Sequence, residues 1–117
     1  MRTARLYDER DDDSTRVLVD RLWPRGIRRN DPRIDRWLPQ AAPSTELRKW
    51  YGHDRERFAE FSARYRAELD TSEGRSALAE LSALAADRPI TLVTSTREVS
   101  LSHLSVLAGI LDEQARP

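Results

Sequence analysis

Two stretches of the chain gather side chains that can do chemistry. In the first, Asp20-Arg-Leu-Trp-Pro-Arg-Gly26, a carboxylate stands beside the guanidiniums of Arg21 and Arg25 and the indole of Trp23. Guanidiniums grip phosphate or carboxylate through paired, charge-assisted bonds. A carboxylate among cations stays ionised at neutral pH and is suited to accept a proton. In the second, Thr94-Ser-Thr-Arg97 is followed by His103, so hydroxyls, a guanidinium and an imidazole can converge. A helix beginning near His103 favours an anion at its free N–H groups, and the same dipole keeps the imidazole neutral. Arg48, flanked by Glu46 and Trp50, is a third cation able to reach the same place. The expected roles are proton transfer for Asp20 and His103, and anion holding for Arg21, Arg25 and Arg48. Ser95 and Arg97 orient the ligand, and Trp23 completes the binding set.

Each of these has a structural alternative. Asp20 can bridge to an arginine and order its own loop, with Trp23 as a packing plug. His103 can cap a helix or satisfy a buried carbonyl, and Glu46 can pair with Arg48 on an exposed helix face. His53-Asp54 reads as a turn followed by an N-cap. The run Asp11-Asp12-Asp13 reads as a solvated turn, because it lacks the Gly and distal Glu of a calcium loop. With no cysteine and two separated histidines there is no metal-ligand spacing, so no metal and no cofactor is expected.

The elements that must position these groups follow from periodicity and punctuation. Arg2 to Tyr7 reads as a first strand and residues 16 to 22 as a second, its apolar run Val17-Leu-Val19 closed by Pro24 and Gly26. Ile34 to Leu38 is a short extended segment. Ser44 caps a helix that Gly52 stops, and Asp54 opens a longer one whose Phe58, Phe61, Tyr65 and Leu69 share a face. A third helix covers Glu73 to Ala86. Ile90 to Thr94 is the clearest strand, and a last helix, with Ser100 as its N-cap, runs to about Glu113. Strands separated by helices predict an α/β fold: a small, mostly parallel sheet of about four strands with helices packed on it. In such sheets the ligand lies beyond the C-terminal strand ends, where both stretches would meet.

Composition narrows the field. The 117 residues fit one domain, with 114 to 117 as a frayed tail, and 38% hydrophobic against 34% charged content describes a protein with a wet surface. No apolar run is long enough to span a bilayer and no secretory signal opens the chain, so a cytoplasmic location and no membrane are expected. Net charge is zero, yet residues 16 to 36 hold seven arginines against three aspartates. A neutral chain with one local basic patch suits a small anion better than a nucleic acid. The helical pair at 44 to 51 and 54 to 70 has six basic and six acidic residues, no positive excess for a DNA-reading element. There is no phosphate-binding glycine loop, no dinucleotide fingerprint, no serine elbow and no zinc-protease motif.

Several blocks also come in a fixed order: Val19-Asp-Arg-Leu-Trp-Pro-Arg-Gly26, Ala42-Pro-Ser-Thr-Glu-Leu-Arg-Lys-Trp50, Gly52-His-Asp54, Phe61 with Tyr65 and Leu69, Ile90-Thr-Leu-Val-Thr-Ser95, then His103. Together they resemble the YeaO-like group of the family called domain of unknown function 488. The resemblance implies a small bacterial α/β protein with a site near these blocks. Longer members of that wider family carry a cysteine at the later strand exit, where Thr94 and Ser95 stand here, so no thiol chemistry is expected. The expected function is binding of a small anion, nucleotide- or sugar-phosphate-like, by an Arg-rich pocket, with or without turnover. The alternative is a regulatory or protein-interaction module, with a DNA-associated regulator less favoured; the oligomeric state is left open.

Overall fold

β2 (Thr15–Leu18) and β4 (Ile90–Thr94) are the two apolar runs of the sequence, and they form the middle of the sheet. They pair in parallel, from Thr15 beside Ile90 to Leu18 beside Val93. β1 (Arg2–Arg5) pairs in parallel with the other side of β4, and β3 (Arg36–Trp37) with the other side of β2. The order is therefore β1-β4-β2-β3, all parallel, as the alternation of strands and helices predicts. This computed structural model describes residues 1–10 and 12–115, so Asp11 of the acidic run lies outside the described residues.

Strand ends fall earlier than the sequence predicts. β1 stops at Arg5 rather than Tyr7, and β2 at Leu18 rather than Leu22. The Val19 N–H still bonds the Val93 carbonyl at 3.0 Å, after which the chain leaves the sheet and Leu22 is 67% exposed. The extended segment at 34 to 38 shrinks to the two paired residues of β3.

The sheet is covered on both faces, which is why its central strands read as unbroken apolar runs. Val17, Val19, Ile90 and Leu92 face the main core, built with Tyr51, Phe61, Tyr65 and the leucines of the helices. Leu18 and Val93, at the alternate positions, join Leu6 and Ile34 in a second cluster against Trp23, Ile27 and Trp37. That second face is covered by irregular chain. Arg16, 4% exposed, bolts this cover down: its guanidinium donates to the carbonyls of Leu6 at 3.2 Å and Arg33 at 2.7 Å.

The helices form where local signals place them. α1 (Thr45–Tyr51) is capped by Ser44, whose Oγ accepts the Leu47 N–H at 3.1 Å, and is ended by Gly52 at φ 54°. Asp54 caps a 3-10 turn, Arg55–Arg57, that leads into α2 (Phe58–Leu69). Thr71 caps α3 (Ser72–Asp87). α4 (His103–Ala115) begins later than expected: Ser100 lies in a 3-10 turn, Val99–Leu101, and it is Ser102 whose Oγ accepts the Leu104 N–H at 3.1 Å. α4 includes Gln114 and Ala115 of the segment read as a tail, while residues 116 and 117 lie outside the described residues. Among the described residues, no helix is long and apolar enough to cross a membrane.

Candidate functional site

Because β2 and β4 are parallel neighbours with Leu18 beside Val93, their exits bring Asp20 and Ser95 together. Asp20 ties the exits into one unit. Its Oδ1 accepts the Thr94 hydroxyl at 2.6 Å, and its Oδ2 accepts both the Ser95 N–H at 2.9 Å and the Ser95 hydroxyl at 2.8 Å. No arginine bridges to Asp20 among the described residues. His103, at the first turn of α4, completes the arrangement: its Nε2 hydrogen-bonds the Val19 carbonyl and lies 3.5 Å from Asp20 Oδ1. A carbonyl can only accept, so Nε2 carries the proton and Nδ1 keeps its lone pair. Burial pushes the His103 imidazole below its ordinary pKa, opposed by the Asp20 carboxylate and the Val19 bond and reinforced by Arg48 and His53. The ring is neutral at pH 7.

These residues line a cavity of about 40 Å³ together with Arg21, Pro43, Arg48, Tyr51, His53, Thr96 and Ser102. Arg21 is held by its Nε–H, which donates to the Pro43 carbonyl at 3.2 Å, and one of its terminal nitrogens lies 3.8 Å from Glu73. Arg48 projects from α1, exposed, and makes no ion pair among the described residues. Of the candidates, Asp20, Arg21, Arg48, Ser95 and His103 thus share one cleft.

The structure places Trp23, Arg25 and Arg97 outside that lining. Trp23 packs on the opposite face of the sheet, edge to face with Trp37 at 5.5 Å, its indole N–H donating to the Ile27 carbonyl at 2.6 Å. The Arg29 guanidinium covers both indoles, 4.8 and 5.0 Å from their centroids. Arg25 and Arg97 are exposed. Of the more open hollows elsewhere, one of about 520 Å³ beside Glu73 and Glu80 holds no cationic side chain, and one of about 510 Å³ sets Arg10 and Arg88 among Asp12, Asp13 and Asp35. No group of His, Asp and Glu able to hold a metal occurs among the described residues.

Sequence reasoning passed over Tyr51 and Ser102, took His53 as part of a turn, and gave Thr96 no role of its own within the second stretch. Tyr51 reads as one more core aromatic, and it does stack on Phe61 at 4.2 Å, but its hydroxyl reaches out to the Leu101 carbonyl at 2.6 Å. His53 follows the helix-stopping Gly52, adopts a left-handed φ of 58°, and is among the residues that line the cleft. The Gly52-His53 pair was the available signal.

Comparison with known proteins agrees with this architecture of ordered blocks. A family profile described as "Inactive DUF488-N3 subclade" matches residues 1–116. An uncharacterized protein of Mycobacterium bovis is 51% identical over 113 residues, 96% of this chain and 93% of that protein. The uncharacterized protein YeaO of Escherichia coli is 40% identical over 108 residues, 92% of each chain. No solved structure is significantly similar. With the match running from the first strand to the end of the last helix, the chain belongs to the DUF488 family, in the subclade described as inactive DUF488-N3.

Proposed function

We propose that the cleft binds a small oxyanion, or the anionic end of a small ligand, without turning it over. The observation that carries this reading is the convergence of Arg21 and Arg48 on one small cavity at the C-terminal edge of a parallel sheet. Size decides how much of a ligand enters. A cavity of about 40 Å³ takes about three water molecules, or one tetrahedral anion in their place. A nucleotide or sugar phosphate would insert its phosphate and leave the rest outside the mouth.

Binding without turnover is supported by how the two candidate proton carriers are used. Asp20 accepts from Thr94 on one oxygen and from Ser95 on the other, which commits it to joining the strand exits, and the one proton of His103 is committed to Val19. A general acid needs a proton to give, and the one on His103 is already spent on Val19. The subclade's description as inactive agrees with this.

Thermal denaturation of wild type and Arg48→Ala with phosphate, a sugar phosphate, a mononucleotide and a short DNA duplex tests the reading. A ligand at about 100 times its Kd adds about 2.7 kcal/mol, enough to move the midpoint by several degrees. The expected result is stabilisation of wild type by the small phosphates and none of Arg48→Ala. A shift with duplex DNA alone, lost at high salt, supports a DNA-associated role instead. No shift with any of them supports an interaction module.

A further inference from the structure

Building on the oxyanion reading, we propose that the cleft selects an anion that carries its own proton donor, of which protonated phosphate is the simplest. The reason is the direction of the hydroxyl protons in the cavity wall. Ser95 Oγ donates to Asp20 at 2.8 Å, Ser102 Oγ to the Val99 carbonyl at 2.7 Å, and Tyr51 Oη to the Leu101 carbonyl at 2.6 Å. Each of these lining residues spends its proton on the protein, so what remains to face a ligand is oxygen lone pairs. His103 behaves the same way: Nε2–H points to Val19, and Nδ1 makes no hydrogen bond to any described residue. Burial keeps this ring neutral, and the charge of Arg48 acts in the same sense against the pull of Asp20.

The wall is therefore rich in acceptors, with Thr96 the one lining hydroxyl that donates to no described residue, while the charged donors, Arg21 and Arg48, belong to the side chains that reach the cavity from the loop and from α1. Sulfate and phosphate have the same shape, so shape cannot separate them. Sulfate at neutral pH offers only acceptors and sets lone pair against lone pair at His103. Phosphate and arsenate keep at least one O–H at that pH, and the O–H can donate to Nδ1 while the charged oxygens meet the guanidiniums. A buried acceptor left without a donor is costly, which makes discrimination of this kind stronger than any fit of size.

Titration calorimetry of the full chain at pH 7, with phosphate, arsenate and sulfate at equal ionic strength, decides the matter. Phosphate and arsenate should bind at least about tenfold more tightly than sulfate, and Arg48→Ala should lose phosphate binding. Equal affinity for phosphate and sulfate, or a preference for sulfate, overturns the donor requirement and leaves the oxyanion reading standing. Failure of all three anions to bind overturns the oxyanion reading itself. Selectivity that survives undiminished in Arg48→Ala places the binding elsewhere and overturns the assignment to this cleft.

Discussion

Asp20 joins two strand exits through four contacts, with the Thr94 hydroxyl, the Ser95 N–H and hydroxyl, and the nearby His103 ring. Hydrogen bonds to a charged, largely buried carboxylate are among the stronger ones, so Asp20→Ala should cost about 1.5–3 kcal/mol. Urea unfolding with an unchanged slope would measure it. Arg25→Ala, at an exposed site, should stay within about 0.5 kcal/mol of wild type in the same assay. His103 gives a pH signature. Burial depresses its folded pKa below the 6.5 of the free ring, so the unfolded chain takes up a proton there that the folded chain refuses. Stability therefore falls as pH drops through about 6.5 and keeps falling until the folded value is passed. Asp31, held at about 2 by the Arg33 side chain, acts in a separate and more acidic window, where its contribution is lost as pH falls through its folded value. NMR titration should give His103 a midpoint below 6.5; a midpoint above that would contradict the neutral ring.

Among the secondary elements, two helical glycines that look alike in sequence make opposite predictions. A Cβ on Gly74 would stand 2.5 Å from the Cα and carbonyl oxygen of Leu69, backbone atoms that cannot step aside, because α3 starts directly after α2. The overpacking cost of about 1–3 kcal/mol exceeds the gain of about 1 kcal/mol in helix propensity, so Gly74→Ala should destabilise. On Gly109 in α4 a Cβ meets nothing within 4 Å, and Gly109→Ala should stabilise by about 0.5–1 kcal/mol. Thermal midpoints of the two variants check both signs. Element ends were legible where the signal is local. Ser44 and Gly52 bracket α1 because a hydroxyl cap and a left-handed glycine act within one turn. The start of α4 was not, because Ser100, Ser102 and Ser105 all offer a hydroxyl. Only the 3-10 turn at Val99–Leu101 delays the helix to the second of them, Ser102, which acts as cap.

Across the whole molecule, the sheet has helices on one face and the loop carrying Trp23 on the other, and this decides what Trp23 does. It supports Leu18 and Val93 from behind instead of facing the cleft. Trp23→Ala should open that second cluster at a cost of about 3 kcal/mol while leaving phosphate affinity of the folded protein unchanged, measured by urea unfolding beside calorimetry. The sequence by itself determined the α/β class, the two central strands, the cap of α1, and the two stretches that supply the cleft. Each of these is written in neighbouring residues, as a period, a cap or a turn. Only the tertiary structure decided the strand order that puts Asp20 against Ser95, the removal of Trp23 from the cleft and the entry of Tyr51, His53 and Ser102 into it. Those outcomes depend on which face a strand presents and on which distant segment covers it, and a long-range pairing leaves no mark in local spacing.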